Sequence, residues 1–209
     1  MLVLCAAIGY LLGCVSGGIL TGHAFGKLDI RSVGSNSAGT TNVLRTLGWL
    51  PSLVTFVIDA LKGFFAAMIG GALAGELGAM AGGLFAVLGH NWPAFYRFKG
   101  GKGMATSFGV ILVIDPLIAM ILLAVQITVL VLTKTMSMAS LSTAGLYFVL
   151  TLLIRFGNWR GITFSFVLSC LAIYSHRANI KRLIEHKENA LQFDKIKMLS
   201  EKIKRRNGK

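Results

Sequence analysis

Runs of apolar residues long enough to cross a bilayer recur along this chain, and no other feature of the sequence constrains the fold as strongly. A helix rising 1.5 Å per residue needs about 20 such residues to span a hydrocarbon core roughly 30 Å thick. The stretches that meet or approach that length are 2–25, 47–71, 77–96, 104–133, 136–154 and 161–175. The fourth is too long for one straight crossing and carries Asp115-Pro116 near its middle. Proline there removes a backbone donor and clashes with the preceding turn, which divides the run into 104–114 and 117–133. The expectation is an all-α integral membrane protein with seven transmembrane helices. Composition agrees, with 55% hydrophobic residues, 14% charged residues and a mean hydropathy of +0.71.

Lysine and arginine are retained on the cytoplasmic side of short loops and helix ends. Residues 177–209 hold 11 Lys and Arg against four acids, which predicts a cytoplasmic C-terminus. Counting back through seven crossings puts the N-terminus outside and the basic loops 27–46, 97–103 and 134–135 in the cytoplasm. Arg155 and Arg160 then fall on the external side, against the rule. Residues 2–20 have no basic stretch before them, so the first run is expected to remain as a span rather than to be cleaved as a signal. Residues 1–190 read as one membrane domain and 191–209 as a basic cytoplasmic tail. Leu183, Ile184, Leu191, Phe193, Ile196, Leu199 and Ile203 recur irregularly there, which suits contact with anionic lipid as well as simple solvation. The net charge of +13 does not point to nucleic acid, because a soluble nucleic-acid binder lacks the apolar runs. Cys5, Cys14 and Cys170 sit inside apolar runs without CxxC or Cys/His spacing, so neither a metal site nor a disulfide framework is predicted.

Polar sequence is costly in so apolar a chain, and its clusters are informative. The first runs from Arg31 through Gly34, Ser35, Thr41 and Asn42 to Arg45. Glycine admits close approach of backbone amides to an anion, hydroxyl and amide groups donate hydrogen bonds, and guanidinium forks match phosphate. An ordinary Gly/Ser loop between helices has the same composition. The second runs from Gly89-His90 to Lys99-Gly100-Gly101-Lys102-Gly103 and opens a helix, where free amides and the positive dipole end favour an anion; Lys99 and Lys102 could also be cytoplasmic anchors. It is not a Walker loop, since GxxxxGK[ST] is absent. The third, Asp59-x-x-Lys62-Gly63, places an acid and a base on one helix face inside an apolar span, as a buried pair or with Lys62 facing a site. The fourth is His176-Arg177-x-Asn179, at the end of the last apolar run. The HxxxxD pair of thioester-dependent acyltransferases, the GxSxG elbow and the HExxH zinc helix are all missing.

The order and spacing of these four clusters resemble the bacterial acyl-phosphate:glycerol-3-phosphate acyltransferase family over about residues 1–190. The resemblance implies an inner-membrane, multi-pass enzyme with its site on the cytoplasmic side. It would transfer a fatty acyl group from acyl phosphate to glycerol 3-phosphate, forming lysophosphatidic acid and inorganic phosphate. Acyl phosphate is an activated mixed anhydride, so no cofactor is called for and positioning with charge stabilisation suffices. Ser35, Thr41, Asn42 and Arg45 are expected to hold glycerol 3-phosphate, and Lys102 with the Gly100, Gly101 and Gly103 backbone the acyl phosphate. By resemblance, Ser140, His176 and Asn179 join Ser35 and Lys102 in the catalytic set, and Arg31, Gly34, Lys62, His90 and Lys99 join the substrate-binding set. The alternative from another class is a transporter for a phosphorylated anion. Transporter sites lie near the midplane and often between inverted repeats, whereas these clusters gather on one face and no repeat is visible. A helix from Lys102 to Ile114 is about 20 Å long, too short to cross alone, so Lys102 is expected in a basic pocket sunk below the cytoplasmic surface.

Overall fold

The computed structural model describes residues 1–194, 196–199 and 201. Lys195, Ser200 and residues 202–209 lie outside that set, and with them Ile203 and much of the expected basic tail. Helix is the regular structure of the described residues: α1 Leu2–Cys14, α2 Gly17–Thr21, α3 Thr40–Leu47, α4 Trp49–Asn91, α5 Met104–Ile114, α6 Pro116–Thr133, α7 Met136–Ile154, α8 Trp159–Ser175 and α9 Arg177–Ile184. By length and composition, Leu2–Gly26, Trp49–Tyr96, Pro116–Thr133 and Met136–Ile154 can each cross a membrane, while α5 and α8 are shorter apolar helices.

The 43 residues of α4 are two arms and not one rod. Ala74 leaves helical geometry and Gly75 takes φ 61°, ψ −152°, a conformation open to glycine because it lacks a Cβ. The arms fold back on each other so closely that a methyl on Gly70 would lie 2.1 Å from the Gly78 carbonyl oxygen. They correspond to the runs read as 47–71 and 77–96. The second arm stops at Asn91, because Pro93 forces Trp92 out of the helical region, to φ −131° and ψ 68°.

The first apolar run, expected as one helix over 2–25, breaks at Val15 and Ser16. Val15 turns to ψ 117°, and the Ser16 hydroxyl caps α2 by accepting from the Ile19 amide. The cause lies on α4, where Asp59 and Lys62 form a buried ion pair at 2.9 Å. The break frees the Val15 carbonyl to accept from Lys62 Nζ at 2.5 Å and the Gly17 amide to donate to Asp59 Oδ1 at 3.2 Å. An unbroken helix would have used both groups internally.

Small residues bring α1 against the second arm of α4. A methyl on Gly9 would lie 2.1 Å from the Gly82 carbonyl oxygen, and one on Gly13 would lie 2.2 Å from that of Ala86. The glycine spacing near the N-terminus therefore packs within the chain, backbone against backbone. α5 crosses α4 in the same way at Gly63 and Gly109. Val110, Ile111, Ile118, Leu122, Tyr147, Phe164 and Leu168 join α5 to α8 in one apolar core. Arg155, the exception to the charge rule, donates to Asp115 Oδ1 at 2.6 Å and to the Ile114 carbonyl at 2.9 Å, which holds the α5–α6 break. Beyond residue 190 the chain does not leave the fold at once: Leu191 and Ile196 are buried against Leu44. Replacing Gly13 with Val should cost more than about 3 kcal/mol, since a backbone carbonyl cannot yield as a side chain can. Thermal unfolding in detergent checks this, with Gly145→Ala, where nothing lies within 4 Å of the new methyl, expected to change stability by less than about 0.5 kcal/mol.

Candidate active site

A cavity of about 260 Å³ runs from the loops around Ser35 and Lys102 into the helices α5 to α8. Its mouth is polar and cationic, lined by Ser35, Thr41, Arg45, Lys102, Ser140, His176, Asn179 and Glu188. Its inner part is apolar, lined by Phe108, Ile111, Leu122, Leu123, Tyr147 and Leu168. Every residue expected in the catalytic set lines it.

The mouth is wired from the C-terminal side. Lys102 Nζ donates a short hydrogen bond to Asn179 Oδ1. Asn179 Nδ2 donates in turn to Glu188 Oε1 at 2.8 Å, and Arg182 Nε donates to Glu188 Oε2 at 2.8 Å. Burial opposes ionisation of Glu188, but the hydrogen bonds from Asn179 and Arg182 outweigh it and hold the carboxyl below its ordinary range. Burial pushes Lys102 down to about 8; Glu188 pulls it up, and the positive charges of Arg182 and Arg45 push it further down. His176 is lowered to about 4, first by burial and then by the Lys102 charge, so its imidazole is neutral at pH 7. The Ala172 carbonyl, 2.8 Å from His176 Nδ1, can only accept a hydrogen bond. Nδ1 therefore carries the proton, and Nε2 keeps a free lone pair.

The first loop is built around Asn42, which is buried. Its Nδ2 donates to the carbonyls of Ile30, Val33 and Ser37 at 2.9, 3.0 and 2.9 Å. Its Oδ1 accepts from the Ser35 amide at 2.9 Å. Asn42 lines the cavity, but its hydrogen-bonding groups are taken by the loop, so it shapes the site and does not grip a ligand. Gly34, at φ 63°, sits where a methyl would come 2.2 Å from Asn42 Oδ1. Arg45 donates one NH2 bond to the Asn189 carbonyl at 2.7 Å, and its buried Nε has no hydrogen-bond partner among the described residues.

Several expected binding residues do not reach the cavity. Arg31 grips Asp29, with Nε to Oδ1 at 3.0 Å and NH2 to Oδ2 at 2.7 Å, and donates to the Tyr96 carbonyl at 2.9 Å. It ties the first loop to the second, and its hydrogen bond to Asp29 holds that carboxyl down at about 2. Lys62 has three donors and three partners: Asp59 Oδ1, the Val15 carbonyl and His90 Nδ1, the last at 2.8 Å. It is saturated and lies behind the wall. His90 lines the cavity, with Nδ1 accepting from Lys62. The Gly101 amide donates to the His90 carbonyl at 3.0 Å and is not free for an anion. Gly100 is small because a methyl there would lie 2.0 Å from that same carbonyl. Lys99 is exposed and outside the lining, whereas Gly103, at φ 78°, is part of it.

Two further features complete the site. Glu188, which the resemblance matches to a structural acid of the family within His186-Lys187-Glu188-Asn189, organises Asn179 and Arg182 from beyond α9. Gln126 and Thr143 pair at 3.0 Å on the cavity wall; a lone glutamine in an otherwise apolar span was the available signal.

An all-helical membrane bundle with a cationic mouth opening on an apolar cleft defines a protein that brings an anion to a hydrophobic chain. This chain belongs to the glycerol-3-phosphate acyltransferase family, whose model matches residues 3–186. It is 46% identical over 189 residues to the glycerol-3-phosphate acyltransferase of Thermoanaerobacter pseudethanolicus, covering 90% of this chain and 95% of that protein. Its identity to a glycerol-3-phosphate acyltransferase of Thermus thermophilus is 42% over 186 residues, 88% of this chain and 92% of the other. The crystal structure of PlsY (YgiH), an integral membrane glycerol 3-phosphate acyltransferase, superposes in its glycerol 3-phosphate form with a TM-score of 0.84 at 34% identity. That match covers 91% of this chain and 96% of PlsY. The lysophosphatidic acid form of PlsY gives the same TM-score at 32% identity over 94% and 98% of the two chains.

The charge on Lys102 is present below pH 8 and lost above it. Expressed as kcat/KM, which reports the free enzyme, activity should fall above about pH 8 as the ammonium deprotonates. Lys102→Arg, whose guanidinium does not titrate in that range, should lower activity but abolish the alkaline fall, and a pH profile of both proteins checks it.

Proposed function

We propose that this chain transfers a fatty acyl group from acyl phosphate to glycerol 3-phosphate, yielding 1-acyl-glycerol 3-phosphate and inorganic phosphate. The observation that carries this reading is the junction inside one cavity of a cationic mouth, at Arg45 and Lys102, with an apolar cleft lined by Ile111, Leu122 and Leu168. The first suits two phosphorylated substrates, and the second suits an acyl chain. Ser35, Thr41 and Arg45 hold glycerol 3-phosphate, with Asn42 shaping their loop. Lys102 and the amides at the start of α5 hold the donor phosphate, where the helix dipole adds to the attraction.

The glycerol hydroxyl oxygen attacks the acyl carbonyl carbon, a new ester C–O bond forms, and the bond to the phosphate oxygen breaks as phosphate leaves. Lys102, through Asn179 and Glu188, is held where charge builds on that phosphate. Ser140 lies on the wall beside the carbonyl. The hydroxyl proton passes to His176 Nε2, whose lone pair is kept free by the Nδ1 bond to Ala172. No covalent acyl-enzyme is invoked, since none of Cys5, Cys14 and Cys170 lines the cavity.

The arrangement in the membrane follows the same reading. α1 with α2, the two arms of α4, and α5 to α8 make seven crossings of a bacterial inner membrane, with the N-terminus outside and the cavity mouth on the cytoplasmic side. α5, with 11 residues, is about 16 Å long and leaves its N-terminus below the cytoplasmic surface. Glycerol 3-phosphate then enters from water and the acyl phosphate from the bilayer.

Membranes supplied with palmitoyl phosphate and labelled glycerol 3-phosphate should form lysophosphatidate without acyl-CoA; product formed only when acyl-CoA is added would refute the donor assignment. His176→Gln should lower kcat by roughly 10²-fold or more with little change in apparent affinity, and a change confined to KM would remove His176 as the base.

A further inference from the structure

The apolar cleft is not an open groove along the bundle: it has a floor. Four helices line it, and along each the lining ends at one residue: Ile111 on α5, Ala119 on α6, Tyr147 on α7 and Leu168 on α8. Beyond these residues, Ile118 and Phe164 are buried in the same cluster and do not line this cavity. Depth can be read along the helices. Tyr147 lies two turns below Ser140 on α7, about 10 Å, and Leu168 lies about 12 Å from His176 on α8. Tyr147 is 2% exposed and is the largest of the four floor residues. On α7 the lining face descends through Ser140, Thr143 and Ala144 to end at its ring.

We infer that Tyr147 is a specificity-determining residue that closes the acyl cleft and sets the longest fatty chain the enzyme accepts. The inference rests on the acyl-phosphate reading above and adds to it which chains are used. The physical reason is that the donor's chain arrives from lipid. Lipid tails are about as apolar as the cleft wall, so each methylene moved from bilayer to cleft gains little, and binding alone discriminates weakly. A chain that meets a packed floor behaves differently. Forcing extra methylenes into a filled core disfavours the complex by about tenfold or more, because close-packed interiors yield little. Selection thus comes from exclusion at the floor, and the profile of accepted chains should show a cut-off in place of a gradual slope. Residues higher in the cleft set how much of it remains open, and Ala144, one turn above Tyr147 and on the same face, is the narrowest side chain α7 contributes there.

The test is a competition. Purified protein in detergent is given glycerol 3-phosphate and an equimolar mixture of acyl phosphates from dodecanoyl to eicosanoyl, and the lysophosphatidates are separated by mass. Ratios within one reaction do not depend on how much of a variant is folded. The unmodified protein should show product falling about tenfold or more beyond one chain length. Tyr147→Leu, which shortens the floor residue and keeps it apolar, should raise the ratio of products longer than the cut-off to those shorter by about fivefold or more. Ala144→Leu should move the cut-off toward shorter chains, and Tyr147→Phe, which keeps the ring, should retain the cut-off of the unmodified protein. Lysophosphatidate formed with the same chain profile by Tyr147→Leu and Ala144→Leu as by the unmodified protein would overturn the floor and leave the acyl-phosphate reading standing. No lysophosphatidate from any acyl phosphate, with the unmodified protein, would overturn both.

Discussion

The buried ion pair of Asp59 and Lys62 is the constraint around which the rest of this bundle is arranged. Two charges taken out of water are tolerated only if their remaining donors and acceptors are met. Here they are met by backbone as much as by side chains: the Val15 carbonyl takes one Lys62 proton, and the Gly17 amide gives one to Asp59. Those two groups exist only because the first apolar run is broken between them. The break redirects α2 and with it the chain that leads into the first loop, while His90, on the opposite arm of α4, supplies the third partner of Lys62. One pair thus fixes the approach of α1, the two arms of α4 and the start of the second loop.

The same division of labour explains why so few polar residues of the loops face the cavity. A ligand-binding loop at a membrane boundary has to satisfy its own backbone before it can bind anything. Asn42 closes the first loop by taking three carbonyls and one amide. Arg31 links it to the second through Tyr96. The second loop seats on His90, whose carbonyl takes the Gly101 amide. With these contacts in place, Ser35 and the donors that Arg45 and Lys102 keep beyond their bonds to Asn189 and Asn179 sit on a support that does not need to reorganise.

Much of this was legible in the sequence. Periodicity was hardly needed; length and apolarity located the apolar helices, and Asp115-Pro116 placed the α5–α6 break at the right residue because proline acts locally. That Ser35, Lys102, Ser140, His176 and Asn179 meet at one cavity was also foreshadowed, since charged residues in an apolar chain stand out and the four clusters match a known family. What could not be read was direction. The sequence around Arg31, Lys62 and Lys99 has the composition of an anion site, but composition does not say that Arg31 turns to Asp29 or that Lys62 turns to Val15. The break at Val15 was invisible for the same reason: its cause, Asp59, lies 44 residues away on another helix. Glu188 reads by resemblance as a structural acid, and the sequence does not say that it reaches the mouth from beyond α9 to hold Asn179 and Arg182.

The charges at the mouth bear on why the site is sunk rather than exposed. Lys102, Arg45 and Arg182 face a single acid, Glu188, and Lys102 feels both arginines as repulsion. The side chains of the mouth therefore carry about two uncompensated positive charges, close to the charge of one phosphate dianion. In water at physiological salt such an excess would be screened over about 8 Å. Enclosed by helices in a low-dielectric surround, it is not; burial is the largest cause of the depression of Lys102, and the charges of Arg182 and Arg45 add to it. On the proposed reading, a bound phosphate would relieve that repulsion, and the relief is larger in a sunk site than in one exposed to water.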